Sequence, residues 1–351
     1  MRILFFCTDI YGGHGGIALF NRDLVEALLA HPACEEVVVV PRVVPYPGAH
    51  PVPPRVTYLD RAARSQAVYA ADALRLSREK FDLVICGHVN LLPIARLASK
   101  HPILMAYGID VWKKLDRLRN RLIHDCGGVI AISEITRDRL LAWSGFRGRT
   151  FILPNAVHLE NYGIRPKPQS LIERYGLEGK RVVLTVGRIT GSERYKGFDE
   201  MVEVLPDLPS DVVSVIAGGG NDAPRLQQKV RKLGVADRVV FTGLFPEHEK
   251  PDLYALADVY AMPSRGEGFG FVFLEAMASG IPVVASKHDG GREALLGGKL
   301  GLLVDPANPA EIRAAIVELL GHGEKRIPEG LDFFAFPNFV ERLGAIIDAV
   351  R

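Results

Sequence analysis

The chain has 351 residues, 48% of them hydrophobic, which is enough for two domains with large cores. Its formal net charge of +2 argues against a nucleic-acid-binding protein. The four cysteines form no CxxC pair and no stretch approaches the roughly 20 apolar residues of a membrane span, so we expect a reduced, cytoplasmic protein without structural zinc.

Strands and helices alternate through the N-terminal half of the chain. Short apolar runs predict strands at 2–7, 36–40, 83–86, 103–106 and 129–132. Apolar positions at helical spacing predict helices at 17–30, 65–79, 92–99 and 134–143. Regular alternation of this kind is typical of a parallel sheet covered by helices on both faces, so this half predicts one α/β lobe.

A glycine-rich turn at residues 12–16 follows the first predicted strand, where a doubly wound sheet places its ligand. The turn lacks the last glycine of a G-x-G-x-x-G motif, which argues against an ordinary dinucleotide site. A connection that only requires a positive φ is an equally good interpretation of these glycines.

Residues 112–123 predict a basic amphipathic helix that begins with Trp112 and carries Leu115, Leu118 and Leu122 on one face. This pattern fits a helix lying on anionic lipid, and it also fits an ordinary surface helix whose apolar face packs on the core. Membrane contact would place the protein at the inner face of the membrane and would favour a lipid-linked partner.

A second alternating series follows a polar linker at 158–180 that contains a short helix. Its predicted strands lie at 181–186, 212–217, 239–242, 258–262 and 282–285. Its predicted helices lie at 198–205, 223–233, 252–257, 274–280, 292–296 and 310–320. The two series together predict an α/β fold of two Rossmann-like, doubly wound lobes, followed by an amphipathic helix at 338–350.

Two cations lie on the loop that follows the strand at 181–186. Arg188 offers a planar guanidinium and Lys196 a flexible ammonium, a pair that suits a diphosphate group. Arg194 lies between them in the sequence, and we expect it to be solvated.

The stretch from Asp258 to Gly280 contains the strongest signal in the chain. Its order of apolar strand, glycine turn and helix directs free backbone N–H groups and a helix dipole at one point, and both favour an anion. Glu267 in the turn and Glu275 in the helix could accept hydrogen bonds from hydroxyl groups on either side of that anion. The pattern fits a nucleotide sugar, and the plain alternative is a solvated glutamate followed by a helix-capping one.

With these residues the chain resembles the family-4 retaining glycosyltransferases, whose two Rossmann-like lobes face each other across a cleft in the GT-B fold. Glu267 and Glu275 match the E-x7-E motif of that family, and the surrounding run at 258–286 matches far more closely than two glutamates alone. Further resemblances lie at 12–20, 151–157 and 186–197.

The resemblance implies transfer of a hexose from a nucleoside-diphosphate sugar to a sugar or lipid-linked sugar acceptor, with no metal or other cofactor. It implies an acceptor-side lobe at 1–160, on which the helix at 336–351 packs back, and a nucleotide-sugar-binding lobe at 161–335. Arg188 and Lys196 would neutralise the leaving phosphate, Glu267 would orient the hexose and Glu275 would hold the ribose. The other expected donor-binding residues are Gly15, Gly16, Gly219, Gly243, Leu244, Gly268, Phe269, Gly270 and Phe271.

The match departs from the family pattern after the strand at 103–106. The family carries a histidine there, in the pattern HG-x-D/E, and this chain has Tyr107, whose pKa near 10 makes a poor general base. We expect Tyr107 at the reaction centre and Asp110, His14 and His88 on the acceptor side, although His88 also fits a loop histidine bonded to backbone. The departure leaves open a catalytically silent sugar-nucleotide-binding subunit, and a same-fold epimerase or phosphorylase is a further alternative.

Overall fold

The computed structural model describes all 351 residues, which divide into two compact units. The first unit contains residues 1–156 and 336–351, and the second contains residues 157–335. Each unit is built on one parallel β-sheet. None of the helices combines the length and the apolar character that crossing a bilayer requires.

Seven parallel strands form the sheet of the first unit. They are β1 (Arg2–Cys7), β2 (Glu36–Pro41), β3 (Val56–Tyr58), β4 (Leu83–Cys86), β5 (Ile103–Ala106), β6 (Gly128–Ala131) and β7 (Thr150–Ile152). Their order across the sheet is β3-β2-β1-β4-β5-β6-β7. The helices of this unit are α1 (Gly16–Ala30), α2 (Gln66–Leu76), α3 (Leu92–Ala98), α4 (Arg117–His124), α5 (Glu134–Ser144) and α13 (Phe336–Val350).

Six parallel strands form the sheet of the second unit. They are β8 (Arg181–Val186), β9 (Val212–Ala217), β10 (Val239–Gly243), β11 (Val259–Met262), β12 (Val283–Ser286) and β13 (Leu302–Val304), in the order β10-β9-β8-β11-β12-β13. The helices are α6 (Gln169–Tyr175), α7 (Phe198–Val204), α8 (Ala223–Lys232), α9 (Lys250–Leu256), α10 (Phe271–Ala278), α11 (Gly291–Ala294) and α12 (Pro309–Gly321).

The strand order reverses once in each sheet, beside the first strand of each unit. The reversal lies between β1 and β4 in the first unit and between β8 and β11 in the second. In a doubly wound sheet, ligands bind outside the carboxyl ends of the strands at this point. The two predicted Rossmann-like lobes are therefore confirmed, and each has its own potential binding edge.

The strands could be predicted because helices cover both faces of each sheet, so that a strand has few positions for polar residues. β1 is buried from Ile3 to Cys7, and β9 is buried along its whole length. The short strands β3 and β13 were not predicted. Each has only three residues and lies at an edge of its sheet, too short for a readable apolar pattern.

The helix predicted over 112–123 is shorter than expected. Asp116 ends the preceding extended segment and its side chain accepts the N–H of Arg119 at 2.9 Å, so α4 begins only at Arg117. Trp112 lies outside the helix and donates its indole N–H to Thr136 Oγ1 at 3.1 Å. The guanidinium of Arg139 lies over the Trp112 ring, 3.9 Å from its centroid. Leu118 is 59% exposed while Leu115 and Leu122 pack against the core, so the interpretation in which this apolar face packs on the core does not hold for Leu118.

Candidate functional site

Two loops meet at the strand reversal of the second sheet. One follows β8 and carries Arg188 and Lys196, and the other follows β11 and carries Glu267. The N–H of Arg265 in the second loop donates to the carbonyl oxygen of Tyr195 in the first at 2.7 Å. The fold thus brings the predicted cations and the predicted loop glutamate to one edge of the sheet.

Glu193 lies between the two predicted cations. Its Oε1 accepts a hydrogen bond from Arg188 Nη2, and its Oε2 lies 2.9 Å from Lys196 Nζ. The side chains of Glu193 and Lys196 are 12% and 15% exposed, whereas that of Arg188 is 68% exposed. Glu193 was not among the predicted site residues, and its spacing of three residues from Lys196 is the signal that could have suggested the pairing.

Arg194 is 54% exposed, in agreement with the expectation that it is solvated, and it also belongs to an ion-pair network. Its guanidinium donates to both carboxylate oxygens of Asp222 at 3.0 and 2.6 Å, and Arg225 donates to the same carboxylate at 2.8 Å. These two guanidinium groups, Arg225 before Arg194, lower the pKa of Asp222 to about 2. The network ties the loop after β8 to the turn between β9 and α8.

The Glu267 side chain is held by its own loop. Its Oε1 accepts the N–H of Gly268 at 3.1 Å. Burial raises the pKa of Glu267, although the nearby Lys196 ammonium and the amides of Gly268 and Phe269 act in the opposite direction. The Lys196 ammonium, one of the two predicted cations, therefore acts electrostatically on Glu267, the residue predicted to bind the hexose.

Asp289 fixes the backbone of the Glu267 loop. Its Oδ2 accepts the Ser264 hydroxyl at 2.7 Å and the Glu267 N–H at 2.8 Å, while its Oδ1 accepts the Gly291 N–H at 3.0 Å. Asp289 is 2% exposed, and burial raises its pKa to about 6. Asp289 was not among the predicted site residues, and its place just after β12, on the same sheet edge, is the signal that could have indicated it.

Glu275 is buried inside α10 rather than at a helix cap. Lys250 Nζ donates to its Oε1 at 2.9 Å and the Tyr254 hydroxyl donates to its Oε2 at 2.7 Å. Burial by itself lowers the pKa of Lys250, but the carboxylates of Glu275 and Glu247 outweigh this and raise it. These two hydrogen bonds fix the orientation of the Glu275 carboxylate, and neither partner was predicted.

The remaining predicted donor residues of the second unit lie on the same sheet edge. Gly219 follows β9 and Gly243 ends β10, where the Leu244 side chain lies beside Gly219 and is 87% exposed. Gly270 directly precedes α10, and Phe271 is its first residue. The Phe269 ring is buried and packs against the Phe334 ring at 5.4 Å, so only the backbone of Phe269 is available to a ligand.

The glycine turn of the first unit leads into α1. Gly15 has a φ of 98° and Gly16 is the first residue of the helix, so the positive-φ interpretation of this turn holds for Gly15. His14 is exposed, and its ring lies 4.6 Å from the Tyr46 ring and 5.8 Å from the His50 ring, measured between centroids. This aromatic cluster joins the turn to the loop between β2 and β3, and it was not predicted.

Tyr107 points into the first unit. Its hydroxyl donates to Asn21 Oδ1 at 2.6 Å, and Asn21 Nδ2 donates to the Asp9 carbonyl oxygen at 2.8 Å. The Tyr107 ring also packs edge-on against Phe20, and burial raises the pKa of the hydroxyl well above its ordinary value. In this arrangement the tyrosine fixes α1 against the end of β5, and its proton is engaged by Asn21.

His88 and Asp110, both predicted on the acceptor side, follow β4 and β5. His88 Nδ1 accepts the Asn90 N–H at 3.0 Å, as in a loop histidine bonded to backbone, and burial lowers its pKa. Asp110 Oδ2 lies 3.4 Å from the Tyr107 N–H, and Asp110 Oδ1 is buried without a hydrogen-bond partner. Burial raises the pKa of Asp110 to about 7.

Asp110 makes the stability of the chain depend on pH. Its folded pKa of about 7 exceeds its ordinary value of 3.8, so the folded chain binds this proton more tightly than the unfolded chain. The resulting stability is full below about pH 4 and is lost as the pH rises to about 7. Asp110→Asn cannot ionise at this position, so its free energy of unfolding should exceed that of the native chain by an amount that depends on pH. We expect this excess to grow by about 1–3 kcal/mol between pH 5 and pH 8. Urea unfolding of both proteins at the two pH values measures this, and an unchanged difference would contradict it.

Comparison with known proteins gives the chain a family. The model described as Glycosyltransferase Family 4 matches residues 14–161, and the model described as Glycosyl transferases group 1 matches residues 169–327. A GDP-mannose-dependent alpha-(1-6)-phosphatidylinositol monomannoside mannosyltransferase of Mycolicibacterium smegmatis is 34% identical over 255 residues. The match covers 68% of this chain and 66% of that relative, just under two thirds of the relative's length.

A second relative and a solved structure agree with this assignment. A D-inositol 3-phosphate glycosyltransferase of Corynebacterium urealyticum is 40% identical over 159 residues, which are 42% of this chain and 36% of that protein. The crystal structure of Anabaena Alr3699/HepE in complex with UDP and glucose superposes with a TM-score of 0.79 at 22% identity, covering 99% of this chain and all of the other. The two parallel-sheet units agree with the GT-B fold of such structures, and the chain belongs to the family-4 glycosyltransferases.

Proposed function

We propose that the chain transfers a hexose from a nucleoside-diphosphate sugar to an acceptor hydroxyl with retention of anomeric configuration. The observation that supports this proposal is the meeting of two cations and a carboxylate, Arg188, Lys196 and Glu267, on loops joined by a backbone hydrogen bond at the strand reversal. A diphosphate needs cations and N–H donors, and a hexose needs hydroxyl acceptors. Both sets of groups are present at this edge of the sheet.

In the proposed reaction, the bond between the anomeric carbon and the β-phosphate oxygen breaks, and the acceptor oxygen forms the new bond to that carbon. The acceptor proton passes to the leaving phosphate. Arg188 and Lys196 neutralise the charge that grows on this phosphate, and the backbone N–H groups before α10 contribute to the same task. Glu267 orients the hexose, and no metal ion is required because the two cations supply the positive charge.

Glu275 would hold the ribose of the donor. Lys250 and Tyr254 hold its carboxylate in a fixed orientation, so its remaining lone pairs could accept hydrogen bonds from the ribose hydroxyls without reorganisation. The exposed Leu244, beside Gly219, offers an apolar surface for a nucleobase. Tyr107 would then support the structure of the first unit rather than exchange protons.

The names of the relatives guide the choice of substrates. Because the mycobacterial relative is named for GDP-mannose and phosphatidylinositol monomannoside, and the corynebacterial one for inositol phosphate, we propose a mannosyl donor and a polyol or lipid-linked acceptor as the first to test. A lipid-linked acceptor would be consistent with peripheral membrane contact through 112–123, where Leu118 is exposed. The proposed cytoplasmic location agrees with four cysteines that are all buried and unpaired.

A thermal-shift panel of GDP-, UDP-, ADP- and dTDP-sugars tests the proposal. We expect one nucleotide class to stabilise the chain, by about 2.7 kcal/mol at a hundredfold excess over its Kd. The gain should disappear in Glu275→Gln, which removes the ribose-binding charge and leaves a side chain of the same size. Glu311→Gln is the matched control, since Glu311 lies on α12 and its carboxylate pairs with a different lysine, Lys287.

The outcomes separate the alternative functions. No stabilisation by any donor, in a folded protein, would contradict the proposal. Binding without transfer or hydrolysis would indicate a catalytically silent subunit, and conversion of the sugar without transfer would indicate an epimerase. Sugar transfer that persists in EDTA would support the metal-independent mechanism. Transfer that is lost in EDTA and restored by magnesium would contradict the proposal that no metal ion is required.

A further inference from the structure

The position of Glu193 suggests a role in the release of the product. One carboxylate engages both predicted diphosphate-binding cations, with Oε1 on Arg188 and Oε2 on Lys196. A carboxylate and a phosphate present similar pairs of oxygens to a guanidinium and an ammonium. Glu193 therefore occupies the same donor groups that a diphosphate would use.

The backbone around Glu193 is held on both sides. The N–H of Glu193 donates to the Thr190 carbonyl oxygen at 2.9 Å, and the N–H of Gly191 donates to Asn221 Oδ1 at 3.1 Å. On the other side, Arg194 is fixed by both oxygens of Asp222. The Glu193 side chain can rotate away from a cation while its backbone stays in place, and the exposed Arg188 can also swing toward a ligand.

We propose that Glu193 takes the place of the donor diphosphate on Arg188 and Lys196 and thereby sets how fast the nucleoside diphosphate leaves. This inference depends on the proposed function of the same site. A diphosphate carries more negative charge than a carboxylate, so it displaces Glu193 from at least one cation when it binds. After transfer, Glu193 competes for the cations again, which weakens binding of the product and prevents product release from limiting turnover.

Glu193→Gln tests this role, because it removes the negative charge and retains the size of the side chain. We expect GDP or UDP, whichever the native chain binds, to bind the variant about fivefold more tightly, since a competing ion pair is lost. The dissociation rate in stopped flow should fall by a similar factor. The matching nucleoside monophosphate lacks the β-phosphate, and its affinity should change less than twofold.

Two further variants separate charge competition from structural damage. Glu193→Asp keeps the charge and should not tighten nucleoside-diphosphate binding. Glu200→Gln neutralises a carboxylate that is also 12% exposed and also pairs with an arginine, Arg265, but that does not contact Arg188 or Lys196. We expect less than a twofold change for Glu200→Gln, which controls for the general effect of one added positive charge.

Equal or weaker nucleoside-diphosphate binding by folded Glu193→Gln would overturn the inference and leave the proposed function intact. Tightening of the same size in Glu200→Gln would also overturn it, because the effect would then be a general one. Glu193→Ala should show the same tightening as Glu193→Gln, so poor folding of one variant still leaves a decisive test. Failure of the native chain to bind any nucleoside diphosphate would instead refute the proposed function, and this inference with it.

Discussion

Replacing Lys196 with alanine should lower kcat for sugar transfer by about 100- to 1000-fold, the usual effect of removing one group that stabilises charge in a transition state. Lys196 is largely buried beside Glu193, and its charge also acts on Glu267. Because the leaving phosphate gains charge only as the bond breaks, the loss should appear mainly in kcat and less in KM for the donor. Initial rates over a range of donor concentrations at saturating acceptor measure both constants.

Arg194→Ala is the matched control for Lys196→Ala. It removes a cation two residues away on the same loop, but this cation is bound to Asp222 rather than to Glu193. We expect its kcat to remain within about tenfold of the native value, since it acts only by holding the loop. A loss in Lys196→Ala no larger than in Arg194→Ala would show that the lysine has no special part in the reaction.

Replacing Gly290 with alanine should damage both stability and activity. A Cβ at this position would lie 2.1 Å from the carbonyl oxygen of Gly268 and 2.7 Å from the backbone nitrogen of Phe269. These are backbone atoms, so relief requires one loop to move, at a cost of about 1–3 kcal/mol in free energy of unfolding. The Gly290 N–H also donates to the Glu267 carbonyl oxygen at 2.8 Å, so the shift should displace Glu267 and reduce kcat at least tenfold.

Gly321→Ala provides the matched glycine control. Gly321 is the last residue of α12, and a Cβ there would meet no atom within 4 Å. An alanine at such a site should leave activity unchanged and raise stability by about 0.4–1 kcal/mol, because it restricts the unfolded chain. Urea unfolding and initial rates on both variants measure the two effects. A Gly290→Ala protein as stable and active as Gly321→Ala would refute the predicted backbone clash.

The strand predictions succeeded where a strand is buried on both faces. β4 (Leu83–Cys86), β5 (Ile103–Ala106) and β9 (Val212–Ala217) begin and end where the apolar runs predicted. Such runs depend only on local composition, because every position of an internal parallel strand must avoid water. The edge strands β3 and β13 have no such requirement and left no signal.

The candidate site was predicted only in part. Motif spacing indicated Arg188, Lys196, Glu267 and Glu275, but not the groups that hold them. Glu193 binds both cations, Asp289 fixes the Glu267 loop from 22 residues away, and Lys250 and Tyr254 hold Glu275 across 25 and 21 residues. Glu193 lies on the same loop as its two cations, whereas Asp289, Lys250 and Tyr254 come from elements that meet their partners only in the folded second unit.

By itself, the sequence determined two doubly wound lobes and the loops most suited to a phosphate. Strands that are buried on both faces must be apolar along their length, and the loops that bind ligands directly follow such strands, so both leave a local pattern of residue types. Only the tertiary structure decided which charges these loops leave available. It paired Arg188 and Lys196 with Glu193, and it directed the Tyr107 hydroxyl to Asn21. The Tyr107–Asn21 bond joins residues 86 apart in the sequence, and the Glu193 pairs depend on how one loop folds, so neither follows from residue type or local spacing alone.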